Sequence, residues 1–303
     1  MIVVTGASGF IGTNLSLALK NTSLIAVDIR TSNRVKVDYI HKDNLLSFLN
    51  DNVEEVECIY HLGGDTSTTS TDYNWIMSNN TEYTRSLWLW CTEFQKPFLY
   101  ASSAATYGDG SRGYDDKVNP SIYTPLNLYA CSKHIFDIWA LQQKTAPPKW
   151  IGVKYFNVYG PYEDHKGPMA SMAYLWFQQV KNDGEARLFR SYKPDVTDGE
   201  QKRDFVYISD VVDATVYLMN NNVKNGLYNI GTGQARTFSD FAKAMFAAMS
   251  STPNLRFIDM PDNLVNQYQY FTEADISKLR YSGYDKPFLS VEEGTKEYVK
   301  YLK

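Results

Sequence analysis

The first twenty residues leave the chain few ways to fold. Ile2–Thr5 is a short apolar, β-branched run, glycines stand at 6, 9 and 12, and residues 10–20 carry apolar groups at helical spacing. A strand that turns at once into a helix through closely spaced glycines is the opening of a βαβ unit. Glycines there permit a tight turn, close backbone approach to a diphosphate and close packing of helix on strand. The helix N-terminus then faces the negative charge. The spacing is G-x-x-G-x-x-G rather than the commoner G-x-G-x-x-G. Asp28 ends the next apolar run, where an acid that holds ribose hydroxyls belongs. Gly6, Gly9, Gly12 and Asp28 together predict a dinucleotide site.

The alternation continues downstream. Residues 23–28, 56–62, 97–102 and 150–156 read as strands, and 44–49, 72–92 and 126–143 as helices. Strict alternation implies right-handed crossovers and a parallel sheet covered on both faces. The expected fold is α/β: a Rossmann-type doubly wound parallel sheet with a smaller C-terminal mixed α/β substrate domain. Residues 1–156 plus about 203–232 are assigned to dinucleotide binding, and about 157–202 with 233–303 to substrate binding. Two late helices carry cap signatures, Thr237 with Asp240 and Ser290 with Glu293. The loop 191–201 reads as inserted or disordered.

Composition narrows the function classes. The chain has 303 residues, of which 44% are hydrophobic and 21% charged, and a net charge of -4. Nucleic-acid binding needs a concentrated basic face, so no nucleic-acid partner is expected. Cys58, Cys91 and Cys131 are odd in number and lack metal-ligand spacing, which fits reduced thiols. His41, His61, His134 and His165 are scattered, and no metal site is expected. No segment reads as a signal peptide or a bilayer span, so the expectation is a cytoplasmic protein with no membrane partner.

Two Tyr/Lys pairs stand four residues apart, Tyr129/Lys133 and Tyr162/Lys166. The first lies on one face of a predicted helix. A lysine beneath a tyrosine, beside an oxidised nicotinamide, favours phenolate and makes Tyr129 a usable base. Ser103 is placed to bind the same substrate oxygen. Lys166 is a different case. Gly160-Pro161 and Gly167-Pro168 fence it in a turn-rich stretch, so it is not an ordinary helix-surface charge.

At these residues the chain resembles the extended short-chain dehydrogenase/reductases. The likeness runs through TGASGFIG, YASSAATYG, YACSK, YFNVYGP and RDFVYISD. Within that family it is most similar to the branch whose members epimerise carbon 6 of an ADP-activated heptose, through HKGPMAS, YNIGTGQARTF and YQYFTEADISKLRYSGYDKPF. The resemblance implies catalytic roles for Ser103, Tyr129 and Lys133. It makes Lys166 a second acid/base group. An epimerase returns hydride to the opposite face of the carbonyl it creates, and one tyrosine cannot serve both orientations. The resemblance also implies cofactor contacts at Phe10, Ile11, Ile29, Arg30, Lys42, Leu62, Gly63, Gly64, Thr66, Asn79 and Val158, besides Tyr129, Lys133 and Lys166. Asn157, Phe189, Arg190, Ser191, Arg203 and Tyr268 match substrate-lining positions, as does Ser103. Arg203 makes independent sense as a guanidinium fork for a diphosphate; the bland alternative is an ion pair with Asp204.

The implied partner is a nucleotide-diphosphate sugar, the implied assembly a homo-oligomer. The cofactor is NADP, with NAD as the alternative: Asp28 favours NAD, whereas Arg30, Arg34 and Lys42 offer charge to a 2′-phosphate. Pro168, Arg190 and the 191–201 loop depart from the family pattern. Rival readings are a 4-epimerase or dehydratase on another nucleotide sugar and a non-catalytic dinucleotide-binding regulator. Ala104 and Ala105 disfavour a dehydratase, which wants an acid there; intact Tyr129 and Lys133 disfavour the regulator.

Overall fold

The computed structural model describes residues 1–265 and 268–303. The first half runs β1 (Ile2–Thr5), α1 (Phe10–Ala18), β2 (Leu24–Asp28), β3 (Asp38–His41), α2 (Leu45–Asp51), β4 (Cys58–His61), α3 (Tyr73–Met77), α4 (Tyr83–Glu93), β5 (Phe98–Ser103), α5 (Leu128–Gln142) and β6 (Trp150–Tyr155). The second half runs β7 (Asn157–Tyr159), α6 (Met172–Asp183), β8 (Ala186–Phe189), β9 (Lys202–Arg203), β10 (Phe205–Tyr207), α7 (Ile208–Asn220) and β11 (Gly226–Ile230). It closes with β12 (Arg236–Thr237), α8 (Phe238–Ala248), β13 (Leu255–Ile258), α9 (Asp262–Val265), α10 (Ser277–Tyr281) and α11 (Val291–Leu302).

Seven strands form one parallel sheet in the order β11-β6-β5-β4-β1-β2-β3. This is the Rossmann-like α/β architecture the alternation predicts. Helices on both faces explain why β1 is apolar up to Thr5 and buried from Val3 on, and why β6 is buried from end to end. β7 pairs with β10 and β8 with β13, both parallel, and β9 with β12 antiparallel, in short two-stranded ladders beyond the carboxyl ends of the main sheet.

Three expectations need correction. β3 follows β2 with no helix between them, so the alternation is not strict; its exposed-intermediate pattern, the mark of an edge strand, hid it from an apolar-run search. The long helix over 72–92 is broken by a π-helical turn at Ser78–Glu82, which turns Asn80 and Thr81 inward. The loop 191–201 is folded rather than structureless. The Ser191 amide donates to Asp198 Oδ1 at 2.7 Å, and Gln201 Nε2 donates to the Phe189 and Arg190 carbonyls. The cap readings hold: Thr237 Oγ1 accepts from the Asp240 amide, and Ser290 and Glu293 form a full capping box.

Candidate active site

A cavity of about 1020 Å³ lies along the carboxyl ends of β1, β2, β4, β5 and β6. Ligands of open α/β sheets bind in this crevice. All the residues expected to touch a cofactor line it: Gly6, Gly9, Phe10, Ile11, Gly12, Asp28, Ile29, Arg30, Lys42, Leu62, Gly63, Gly64, Thr66, Asn79 and Val158. Ser103, Tyr129, Lys133 and Lys166 line the same cavity.

Its floor is bare backbone by necessity. Gly6 has φ +68°, and a Cβ there would lie 2.7 Å from the Gly63 amide nitrogen. A Cβ on Gly12 would lie 2.0 Å from the Gly6 carbonyl oxygen. Gly9 caps α1 with no side-chain hydrogen bond, so no side chain competes for the first amides of the helix. Anion-binding geometry of this kind fits a diphosphate. Asp28 is fixed beside it: its carboxylate accepts from the Ser8 amide at 2.9 Å and the Ile29 amide at 2.8 Å.

The three cations near Asp28 differ in their ties. Arg34 forms a bidentate pair with Asp164, at 2.8 and 2.7 Å, and its guanidinium lies over the Tyr162 ring. Lys42 pairs with Asp43 at 2.9 Å. Arg30 has no carboxylate within ion-pair distance among the described residues.

Tyr129 and Lys133 project from α5, one turn apart, and Asn127 caps that helix through the Ala130 amide. Lys133 is buried, with no carboxylate within ion-pair distance among the described residues, and burial brings its ammonium down to about 8. A Cβ on Gly64 would sit 3.3 Å from its Nζ, so the glycine keeps that approach open. The Tyr129 phenol departs from expectation. Burial holds it above its ordinary value, hydrogen bonding to Ser103 opposes that, and the nearby carboxylates of Asp137 and Asp65 add to the rise. Desolvation of the phenolate outweighs the help expected from the lysine. Lys166 sits on a short 3₁₀ segment, Asp164–Met169, kinked at Gly167, and its Nζ lies 5.4 Å from the centre of the Phe10 ring. Burial lowers its ammonium too, against the pull of Glu163.

The residues matched to substrate lie less compactly. Ser103 and Asn157 line the cavity. Phe189, Arg203 and Tyr268 form a neighbouring cluster. The Arg203 guanidinium is 5.0 Å from the Tyr268 ring and 5.6 Å from that of Phe238, which is itself a cavity wall. Arg203 is buried and does not pair with Asp204. That carboxylate is taken by the amides of Thr232, Gly233 and Ala274 and the Thr232 hydroxyl. Arg190 faces Asp259 at 3.6 Å on the surface.

Trp75 and Asn80 escaped the sequence. Trp75 and Asp65 form part of the wall, joined by a 2.7 Å bond from the indole N–H. Asn80 holds that wall to α5, accepting from the Asp65 amide and donating to the Ser132 hydroxyl. No local pattern marks Asn80, because a π-helical turn sets its direction. Among the described residues no His/Cys/Asp/Glu cluster could hold a metal ion, and no helix is long and apolar enough to cross a membrane.

Comparison with known proteins agrees with this geometry. The model of the NAD dependent epimerase/dehydratase family matches residues 2–231. An ADP-L-glycero-D-manno-heptose-6-epimerase of Fusobacterium nucleatum is 46% identical, over 99% of this chain and 97% of its own. One from Brachyspira hyodysenteriae is 38% identical over 100% and 98%. Among solved structures, the Helicobacter pylori ADP-L-glycero-D-manno-heptose-6-epimerase superposes with a TM-score of 0.81 at 26% identity, covering 99% of this chain and 95% of that one.

Proposed function

The chain belongs to the NAD dependent epimerase/dehydratase family, and we infer from that premise that it is an enzyme that inverts carbon 6 of the heptose in ADP-D-glycero-β-D-manno-heptose. The product is ADP-L-glycero-β-D-manno-heptose, and a nicotinamide cofactor serves the reaction. One observation carries the catalytic assignment: Ser103, Tyr129, Lys133 and Lys166 share a single cavity with the glycine turn. A bound nicotinamide would supply reversible hydride acceptance at carbon 6. Everything else falls to the chain. The glycine turn and α1 would hold the diphosphate, Asp28 the adenosine ribose, and Lys133 with residues 62–66 the inner ribose.

Tyr129 takes the proton from the 6-hydroxyl while Ser103 donates a hydrogen bond to the oxygen. Lys133 beneath it favours phenolate. The ketone then turns to present its other face. Lys166, reaching the cavity from the loop after β7 rather than from α5, exchanges the proton in that orientation. A half-buried, lowered ammonium gives up its proton more readily than an exposed one. We propose that the Arg203–Tyr268 cluster receives the nucleotide end, with Arg203 supplying the guanidinium fork for the diphosphate.

For the cofactor we propose NADP. Arg30 has no ion-pair partner among the described residues that would compete with a 2′-phosphate, and the surface pair that holds Arg34 costs under about 1 kcal/mol to exchange. NAD is the competing reading, favoured by Asp28 standing fixed at the ribose position. Titration of apoprotein with each separates them: tenfold tighter NAD binding overturns NADP. The decisive functional test is incubation with ADP-D-glycero-β-D-manno-heptose and NMR of the product. Epimer should form with cofactor recycled; consumption of one cofactor per sugar would sink the epimerase assignment.

A further inference from the structure

Beneath the catalytic face lies a charged pair the mechanism has not used. Asp137 on α5 and Lys154 on β6 meet at 2.5 Å, with side chains 0% and 1% exposed. Burying two charges in a sheet that could have held apolar residues is costly, so the pair invites a functional account. Its surroundings are fully engaged. Asp137 accepts from the Tyr100 hydroxyl at 2.9 Å and the Ser102 hydroxyl at 2.7 Å, and Lys154 also donates to Thr106 Oγ1. Gly152 makes this possible: a Cβ there would lie 2.5 Å from the Tyr100 ring, so only a glycine lets Tyr100 lie across β6 toward Asp137.

The pair is also placed in register with the catalytic residues. Tyr129, Lys133 and Asp137 follow at intervals of four along α5, so they stack on one face of the helix. Ser102 precedes Ser103, which stands opposite Tyr155, the neighbour of Lys154, across the β5–β6 ladder. Other titratable groups nearby are His134 on α5, Tyr107 over Lys154, His61 on β4 and Asp65. His61 is neutral and bonded at both ring nitrogens, to Thr5 and Thr84, so it supplies no counter-charge.

We propose that the Asp137–Lys154 pair is a positioning device that sets the electrostatic bias of Tyr129 and Lys133 from below, with Asp137 favouring their protonated forms and Lys154 holding that influence in check. The field of Asp137 raises both the Tyr129 phenol and the Lys133 ammonium. Lys154 sets an opposite charge 2.5 Å from the same carboxylate, so the balance of the pair, rather than either charge, decides where the base titrates.

The inference rests on Tyr129 being the base, and the two halves of the pair should then act with opposite sign. Asp137→Asn leaves Lys154 uncompensated, favours phenolate, and moves the acidic limb of the kcat/KM profile down by roughly one pH unit. Lys154→Met leaves Asp137 uncompensated and moves the limb up by a similar step. The double variant returns it near the wild-type position. Should a single variant fail to fold, Ser102→Ala and Tyr100→Phe strip one donor from Asp137 without breaking the pair. Each should move the limb up by a few tenths of a unit. The Lys133 ε-carbon resonance, identified by its loss in Lys133→Met, should titrate in the same directions in the enzyme without substrate. A purely structural pair lowers stability and rate but leaves every limb in place, and that result overturns the inference. If instead Tyr129→Phe remains active, the base assignment itself fails.

Discussion

The two proposed acid/base groups are held in opposite ways. Tyr129 stands on a capped helix of 15 residues, anchored through Ser132, Asp137 and Lys154 to β5, β6 and the Asn80 turn. Lys166 stands on a kinked 3₁₀ segment. Its outer side is clasped by the Arg34–Asp164 pair, whose members are 29% and 47% exposed. Beneath it Glu163, wholly buried, accepts from the amides of Gly160 and Ser171 and from the Ser171 hydroxyl. One group is fixed by buried charge, the other by a solvent-facing clasp over a buried cap. A base used at every turnover profits from a rigid seat, whereas a loop that must admit a bulky nucleotide sugar profits from a seat that yields.

Removing each group should have the largest effect. Tyr129→Phe and Lys166→Met should each lose about 10²-fold or more in epimerisation, the usual range for general acid/base groups being ~10²–10⁴. Substrate affinity should change little in Lys166→Met. Near-normal turnover of that variant at saturating substrate would leave Tyr129 alone as the acid/base group.

Next in size is stability. Lys154→Met should cost about 3–5 kcal/mol in denaturant unfolding, because it strands a buried carboxylate. Asp164→Asn, breaking the exposed clasp, should cost under about 1 kcal/mol and slow turnover no more than ~5-fold. Equal costs at the two sites would erase the contrast.

A pH series probes the rigid side further. Burial brings His61 down to about 3, below its usual 6.5. Its folded pKa is depressed, so the unfolded chain binds the extra proton. Stability therefore falls as pH drops below about 6.5, by up to ~1.4 kcal/mol per unit from this group. His61→Gln should unfold with a shallower acid slope than wild type; parallel slopes would mean that His61 is protonated in the fold. The smallest effect belongs to salt. Raising ionic strength from about 0.05 to 0.5 M should lower kcat/KM through the Lys166 loop by less than about twofold once cofactor saturation is maintained, and Asp164→Asn should be insensitive.

What the sequence revealed follows the same division. The glycine turn and the Tyr129/Lys133 pair were legible because their geometry is local: a strand, a turn, one helical interval. The folding of 191–201 was not, since Asp198 and Gln201 act on backbone that carries no pattern. Asp137 lies in the stretch 126–143 read as a helix and Lys154 in the strand 150–156, and neither was singled out. Yet a lysine inside Ile-Gly-Val-Lys-Tyr-Phe was a signal, because a charge buried on both faces of a parallel strand requires a partner. The desolvation of Tyr129 was hidden for a related reason: spacing shows which groups meet, not how much water they lose. Arg203 was matched to the substrate from the sequence, and only the fold shows its aromatic neighbours in place of a carboxylate.

The edge strand β11 has a further consequence, for how the molecule is made. It pairs residues 226–230 with 151–155, and Asn229 then binds the carbonyls of Tyr114 and Asp275. The sheet that seats α5 is therefore completed only after the 70 residues between those strands have been synthesised. Non-local parallel pairing of this kind is slow to nucleate, since the entropy of closing the intervening loop precedes any contact energy. Chains stopped near residue 220 should emerge with an open flank beside β6 and bind chaperones, whereas chains carried past 275 should become protease-resistant in a single step.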